Sequence, residues 1–152
     1  MIDSVDLAQR VAVNLFARDV AARALGMEIA TVGDGYAKLT MRVRPDMLNG
    51  YALCHGGLIF TLADTAFAYA CNSHNEISFA AAASIEFLAP AHVGDELTAQ
   101  AAERWRGHRS GVYDVDVTNQ LGTRIALFRG RSAKVHGTVL DAGGEAESHD
   151  RS

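Results

Sequence analysis

Between Leu58 and Cys71 the chain has no glycine or proline, and its hydrophilic side chains are Thr61, Asp64 and Thr65. A helix that is apolar nearly all round belongs inside a molecule, so the rest of the chain must wrap it. Asp64 is the one formally charged side chain between His55 and His74. Desolvating a carboxylate is costly unless something compensates it, which marks Asp64 as the candidate for chemistry. The competing reading is a structural carboxylate held by the threonine hydroxyls or by an arginine.

The flanks indicate what does the wrapping. Val5, Leu7, Ala8, Val11, Ala12, Leu15 and Phe16 recur at helical spacing, so residues 3–24 read as one surface helix capped by Asp3 or Ser4. Met27 to Val32 and Tyr36 to Val43 read as a hairpin around Gly33-Asp34-Gly35, closed by Pro45. Beyond the central helix come four extended segments, roughly 79–88, 95–106, 110–118 and 124–136, punctuated by Pro90 and Gly94, by Gly107, and by Asn119 to Gly122. Joined by such short loops they are expected to lie as successive antiparallel neighbours. In the third segment Val112, Asp114, Asp116 and Thr118 oppose Tyr113, Val115 and Val117, the mark of a half-exposed strand. The expected class is α+β, an antiparallel sheet around one long helix, with a single domain over 1–137 and a loose tail over 138–152.

Composition narrows the function classes. Fourteen basic against 18 acidic residues give a net charge of −4, which points away from nucleic acid and from an anionic membrane as partner. Asp3, Asp6 and Arg10 interrupt the start before a secretory core could form, and the longest apolar stretch is too short to span a bilayer, so a cytoplasmic location is expected. Cys54 and Cys71 read as reduced thiols. His74, His92, His108, His136 and His149 show no metal-site spacing with them, so no metal is expected. No Gly-x-Ser-x-Gly elbow or Walker-type loop is present.

Gly56 and Gly57 stand where loop becomes helix. Without side chains they admit a ligand to the backbone, and their N–H groups are among the unsatisfied donors of the first turn, suited to a developing oxyanion. Equally, they could serve only a tight turn. Asp64 lies eight residues on from Gly56, about 12 Å along a helix, too far for both to act on one carbonyl within a single chain. Two antiparallel helices from two subunits would reconcile them, so a site shared across a two-fold interface is expected. Thr61, Asp64, Thr65 and Ala68 would form one polar seam along it. His55 is read as a positioning histidine or an acid–base group, and Asn49 as a turn residue or an amide holding a carbonyl or a water.

The run from Asn49 through His55-Gly56-Gly57 to Asp64, followed by Ile85-Glu86-Phe87-Leu88-Ala89-Pro90 and Gly94-Asp95, resembles the hotdog-fold acyl-CoA thioesterases. It is most similar to their phenylacetic acid degradation (PaaI-type) branch, and the likeness extends over roughly residues 10–137. The resemblance implies that Asp64 of one subunit attacks the thioester or activates water, while the Gly56 N–H of its neighbour polarises the carbonyl. Asn49 and His55 shape the site, with Gly57 and Thr65 beside the substrate. The family pattern also implies a tetramer of two such dimers and no metal or redox cofactor, the CoA thioester being the substrate. Where related enzymes carry a Ser or Thr on the strand after the helix, this chain has Ala80 to Ala83, with Ser84 several positions late.

By the same resemblance the turn Arg106, Gly107, His108, Arg109 and Ser110 lies near the CoA tail. Arg106 and Arg109 are expected to meet phosphates, with Arg131 and Lys134 on the last strand as further candidates and Trp105 able to stack on adenine or to pack on the sheet. Leu48, Phe60, Phe67 and Tyr69 are the expected acyl-pocket residues. Closeness to the phenylacetate branch favours an arylacetyl group, with medium-chain acyl groups as the alternative. Two rival readings are a non-catalytic acyl-CoA sensor and an enoyl-thioester hydratase. The first lacks a DNA-binding segment here, and the second lacks its paired acid and histidine motifs.

Overall fold

In the computed structural model, which describes residues 3–142, the apolar run forms helix α3, Gly56–Cys71. Ile59, Leu62, Ala63, Ala66, Phe67, Ala70 and Cys71 are buried, and the helix packs against the middle of a six-stranded antiparallel sheet. The strands are β1 (Glu28–Gly33), β2 (Tyr36–Arg42), β3 (Ser78–Phe87), β4 (Glu96–Arg106), β5 (Ser110–Thr118) and β6 (Arg124–Lys134). Alternation builds the contact. On β5, Tyr113, Val115 and Val117 face the helix while Asp114 and Asp116 face out, the latter pairing with Arg129 and Arg124. Gly35, at φ +66°, turns the β1–β2 hairpin, and a Cβ there would sit 2.8 Å from that of Glu103.

The strand order is β1-β2-β4-β5-β6-β3, which corrects one expectation. Successive neighbours hold for β4, β5 and β6, but β3 pairs with β6 and not with β4. Residues 88–95 carry the chain across the end of the sheet instead. Leu88 N–H donates to the Ile125 carbonyl, Ala91 accepts from Cys54, and Gly94 and Asp95 bond Val43. Extended chain reaches about 3.3–3.6 Å per residue, enough for such a crossing without a long loop. The result leaves β3 at the sheet's edge. It is exposed from Phe79 onward, with Ile85 alone half-buried.

The N-terminal segment also differs from the single helix expected. It is α1 (Ser4–Arg18) followed by α2 (Val20–Ala24), broken at Asp19, whose carboxylate accepts from the Ala22 N–H at 3.2 Å. An aspartate stabilises a helix start better than a helix interior, and this one also accepts from the Tyr69 hydroxyl. The expected loose tail is corrected at its beginning. Residues 139–142 form a helical turn with Val139 buried, and Leu140 N–H donates to Asn75; the rest of the tail lies outside the described residues. Beyond the C-terminus of α3, His74 places Nδ1 2.8 Å from Asp34 and Nε2 2.9 Å from Glu103, which also accepts from the Tyr113 hydroxyl. Among the described residues no helix is long and apolar enough to cross a membrane.

Candidate active site

Helix α3 starts cleanly because His55, at φ −60° and ψ 131°, is extended and its carbonyl receives the Leu58 and Ile59 N–H groups. The Gly56 and Gly57 N–H groups find no acceptor among the described residues. Two preformed donors therefore sit at the positive end of a helix whose dipole runs its full length. The Phe87 ring lies over Gly56, so that a Cβ there would stand 3.2 Å from Cζ. Nothing in the sequence paired those two residues; the strand register alone brings them together.

The preceding loop is held by Asn49. Its side-chain oxygen accepts from Tyr51 N–H (2.9 Å) and Leu53 N–H (3.1 Å). The turn reading of Asn49 is thus realised by its oxygen, while its amide nitrogen has no partner among the described residues. A cavity of about 350 Å³ lies between Asn49, Cys54, Gly56, Ile59 and Phe87. A second of about 270 Å³ lies on the other side, against Leu48, His55 and Gly57. The His55 ring is exposed and its Nδ1 flanks Gly57.

Asp64 is two turns further along the helix and half-buried. Burial raises its pKa above the ordinary aspartate value, with no compensating partner. The structural reading of this carboxylate fails on geometry. Thr61 donates its hydroxyl to the Gly57 carbonyl (2.8 Å) and Thr65 donates to the Thr61 carbonyl (2.6 Å). Both hydroxyl protons are spent within the helix, and no arginine pairs with Asp64 among the described residues. Its charge is still felt two turns on: burial, with a smaller push from Asp64, carries the Cys71 thiol up to about 12.

The remaining candidates lie at the opposite end of α3. Arg106 donates to Glu76 at 2.9 Å, and Lys134 reaches the other oxygen of the same carboxylate at 2.9 Å. That pairing, invisible in the local sequence, offsets much of the charge expected to meet phosphates. Gly107 lies under the Trp105 indole, and its N–H donates to Ser110. His108, Arg109 and Arg131 are exposed, and neither arginine is ion-paired among the described residues. Phe60 and Phe67 both pack on Phe128, and Phe67 also on Tyr113. Within one chain, then, Asn49, His55, Gly56 and Gly57 come together, while Asp64 with Thr65 and the Arg106–Ser110 turn each stand apart. Among the described residues no three His, Cys, Asp or Glu side chains converge as metal ligands do.

Comparison with known proteins agrees with this architecture. A sequence profile of the thioesterase superfamily matches residues 51–126. The acyl-coenzyme A thioesterase PaaI of Escherichia coli is 48% identical over 125 residues, covering 82% of this chain and 89% of that protein. Its structure, from the phenylacetic acid degradation operon, superposes with a TM-score of 0.89 at 46% identity over 90% of this chain and 99% of its own. A Streptococcus mutans protein bound to acetyl CoA is 28% identical with a TM-score of 0.72, covering 74% of this chain and 90% of its own. The chain belongs to the thioesterase superfamily, as a hotdog-fold acyl-CoA thioesterase of the PaaI type.

Proposed function

We propose that the protein hydrolyses arylacetyl-CoA thioesters, phenylacetyl-CoA or its ring-hydroxylated forms, to the free acid and CoA in phenylacetate catabolism. The observation that carries this reading is the pairing of two incomplete halves: an unpartnered half-buried carboxylate at Asp64, and unpartnered amides about 12 Å away at Gly56 and Gly57. An antiparallel two-fold dimer joined along the exposed edge of β3 sets the Gly56 end of one helix beside Asp64 of the other. It also carries the turn at Arg106–Ser110 toward the neighbour's helix start, where a bound CoA would extend.

In this arrangement the Gly56 N–H of the neighbouring subunit donates to the thioester oxygen, and the bond strengthens as that oxygen gains charge. The Asp64 carboxylate then either attacks the carbonyl carbon, releasing CoA thiolate and leaving an anhydride that water opens at its acyl carbon to regenerate Asp64, or takes a proton from the water that attacks. Either way water supplies the second oxygen of the acid, and the thiolate leaves as CoA. Gly57 is a second donor, His55 orients the loop and substrate, and the free Asn49 amide holds the carbonyl or the water. Thr65 borders the seam. Arg109 and Arg131 are the better phosphate partners, with Arg106 reduced by Glu76 and with Gly107, His108 and Ser110 supplying the turn. The steps need no metal or redox group. The family resemblance favours two such dimers in a tetramer.

The similarity to the E. coli enzyme, whose operon serves phenylacetic acid degradation, favours the aryl substrate. The S. mutans protein with acetyl CoA bound supports the CoA ester. The test is thiol release from phenylacetyl-CoA and from octanoyl-CoA by the wild type and by Asp64→Ala. Faster release from phenylacetyl-CoA, nearly abolished in an oligomer of unchanged size, is expected. Wild-type release by Asp64→Ala would overturn the assignment, and a preference for octanoyl-CoA would replace the aryl substrate with a medium-chain one.

A further inference from the structure

The start of β3, the end of β6 and the turn between β4 and β5 meet at one corner of the sheet. Ser78 faces Lys134 in the β3–β6 register, Val135 N–H donates to the Ile77 carbonyl, and Lys134 N–H donates to the Arg109 carbonyl at 2.9 Å. This crossing sets Glu76 between two cations, 30 and 58 positions away in sequence. Its Oε2 accepts from Arg106 Nη2 and its Oε1 from Lys134 Nζ, each at 2.9 Å, and all three side chains are partly exposed. Burial would raise the Glu76 carboxyl, but hydrogen bonds from Lys134 and Arg106 outweigh it and hold the group below the ordinary glutamate value. It is therefore a standing negative charge. The cleft these groups share with Gly107, Ser110 and Ser132 has a free volume of about 10 Å³, no more than one water needs. A phosphate has no room among them unless the carboxylate gives up its place. Arg106 is held through a single nitrogen, which leaves the rest of its fork without a partner among the described residues.

We propose that Glu76 is an internal counter-anion of the CoA site. It holds Arg106 and Lys134 in the free protein, yields them to a CoA phosphate on binding, and so limits how tightly CoA and its esters are held. This rests on the reading that CoA esters lie along the Arg106–Ser110 turn, and adds the residue that tunes their affinity. With Glu76 the three side chains sum to one positive charge; without it, two cations would stand within reach of one phosphate. Glu103 also acts on Arg106 through space, although its own carboxylate is engaged by His74 and Tyr113. The nucleotide is the same in the substrate ester and in product CoA, and it is remote from the bond that breaks. Binding energy gained there is uniform, so it lowers KM and strengthens product inhibition together and adds nothing to kcat. A carboxylate competing with the phosphate weakens both and eases the departure of CoA. Glu76 is thus a positioning residue for two cations, acting on affinity alone.

The test measures dissociation constants of CoA, dephospho-CoA and pantetheine by calorimetry in the wild type, Glu76→Gln and Glu76→Ala, with KM and CoA inhibition constants for phenylacetyl-CoA turnover. Surface ion pairs are individually weak, so freeing two cations is expected to tighten CoA about three- to tenfold at low salt and less at high salt. KM and the CoA inhibition constant should fall by the same factor, and kcat should not rise. Pantetheine, which carries no phosphate, should bind all three proteins alike. A gain kept by dephospho-CoA assigns the displaced contact to the diphosphate, and a gain lost with it assigns the ribose phosphate. Adding Arg106→Gln to Glu76→Gln should reverse most of the gain. Glu76→Ala keeps the test decisive should Glu76→Gln fail to fold. A lower melting temperature with CoA affinity unchanged or weaker marks a purely structural clamp and overturns the proposal, as does an equal gain for pantetheine. Wild-type protein that binds CoA but releases no thiol from any thioester overturns the thioesterase reading alone. Absence of CoA binding by every protein overturns both.

Discussion

Gly56→Pro isolates the proposed oxyanion donor with little else changed. Proline fits the first position of a helix, where its fixed φ is already helical and its missing N–H breaks no intrahelical bond. The residue before a proline is pushed to ψ of about +120° to +160°, and His55 already stands at ψ 131°. The new Cβ would lie 3.2 Å from Phe87 Cζ, but that ring is 52% exposed and free to move outward. Gly56→Ala adds the same Cβ and keeps the N–H, so it is the matched control. Loss of one such donor costs about 2.7–4 kcal/mol of transition-state stabilisation, or about 10²–10³ in kcat. Thiol-release kinetics on phenylacetyl-CoA should therefore show Gly56→Ala within a few-fold of wild type and Gly56→Pro about two to three orders lower. Thermal melts of both should match or exceed wild type, because the unfolded chain loses freedom. Equal kcat for the two variants would refute the donor role. Mixing Gly56→Pro with Asp64→Ala and letting subunits exchange tests the sharing. Half the dimers then hold one intact site, so about a quarter of wild-type activity should return, whereas sites contained in single chains would recover nothing.

Other perturbations read other parts of the molecule. Burial raises the Asp64 pKa, and in the proposed mechanism the carboxylate must be ionised to act, so the acid limb of kcat/KM should lie above the ordinary aspartate value of about 3.9 and vanish in Asp64→Asn. The same raised value means that the protonated form favours the fold below the unfolded pKa and that this contribution is lost as pH rises through the folded one. Asp64→Asn should accordingly melt above wild type at pH 7 and lose that advantage in acid. Burial would raise Glu103, but hydrogen bonds from Tyr113 and His74 outweigh it and hold the carboxyl low, so its contribution is present above the unfolded pKa and lost as pH falls through the folded one. Glu103→Ala strands the buried Tyr113 hydroxyl and should cost about 1–3 kcal/mol in urea unfolding at pH 7, and less in acid. Ala83→Lys, on the exposed β3 edge, should lower the apparent mass in size-exclusion chromatography and thiol release together.

What could be read in advance was whatever local pattern decides. The central helix followed from a long apolar run without breakers, the hairpin from Gly33-Asp34-Gly35, and β5 from strict alternation. The order of β3 and β4 could not be read that way, because a short extended connection serves a crossing over the sheet end as well as a hairpin. The Asp19 carboxylate at the helix break also accepts from a tyrosine fifty positions away in sequence, and the pairing of Arg106 is with a glutamate thirty away. Thr61 and Thr65 were rightly placed on the face of Asp64. Their hydroxyls nonetheless turn onto carbonyls four residues back, a competition within the helix that residue spacing does not reveal. Nor does spacing reveal that the sheet behind Phe60 and Phe67 supplies Phe128 and Tyr113 for them to pack on.

Two features of the single chain work against it, and the proposed dimer would relieve both. Asp64 bears a desolvation cost that no side chain among the described residues offsets. Strand β3 exposes an alanine-rich edge with a lone bulge near Ala81, and without the lysines or prolines that usually blunt such edges. A free edge of this kind invites pairing with further chains and, left open, aggregation. In the proposed dimer a two-fold axis through β3 would consume the edge once and leave nothing for a third chain to extend, while the antiparallel approach of two α3 helices would bring donor amides to the carboxylate. On the proposed mechanism a local partner would hold the charge the thioester has to meet, so the unpaired carboxylate is what a site completed by a second subunit requires, with its cost in stability falling on that interface.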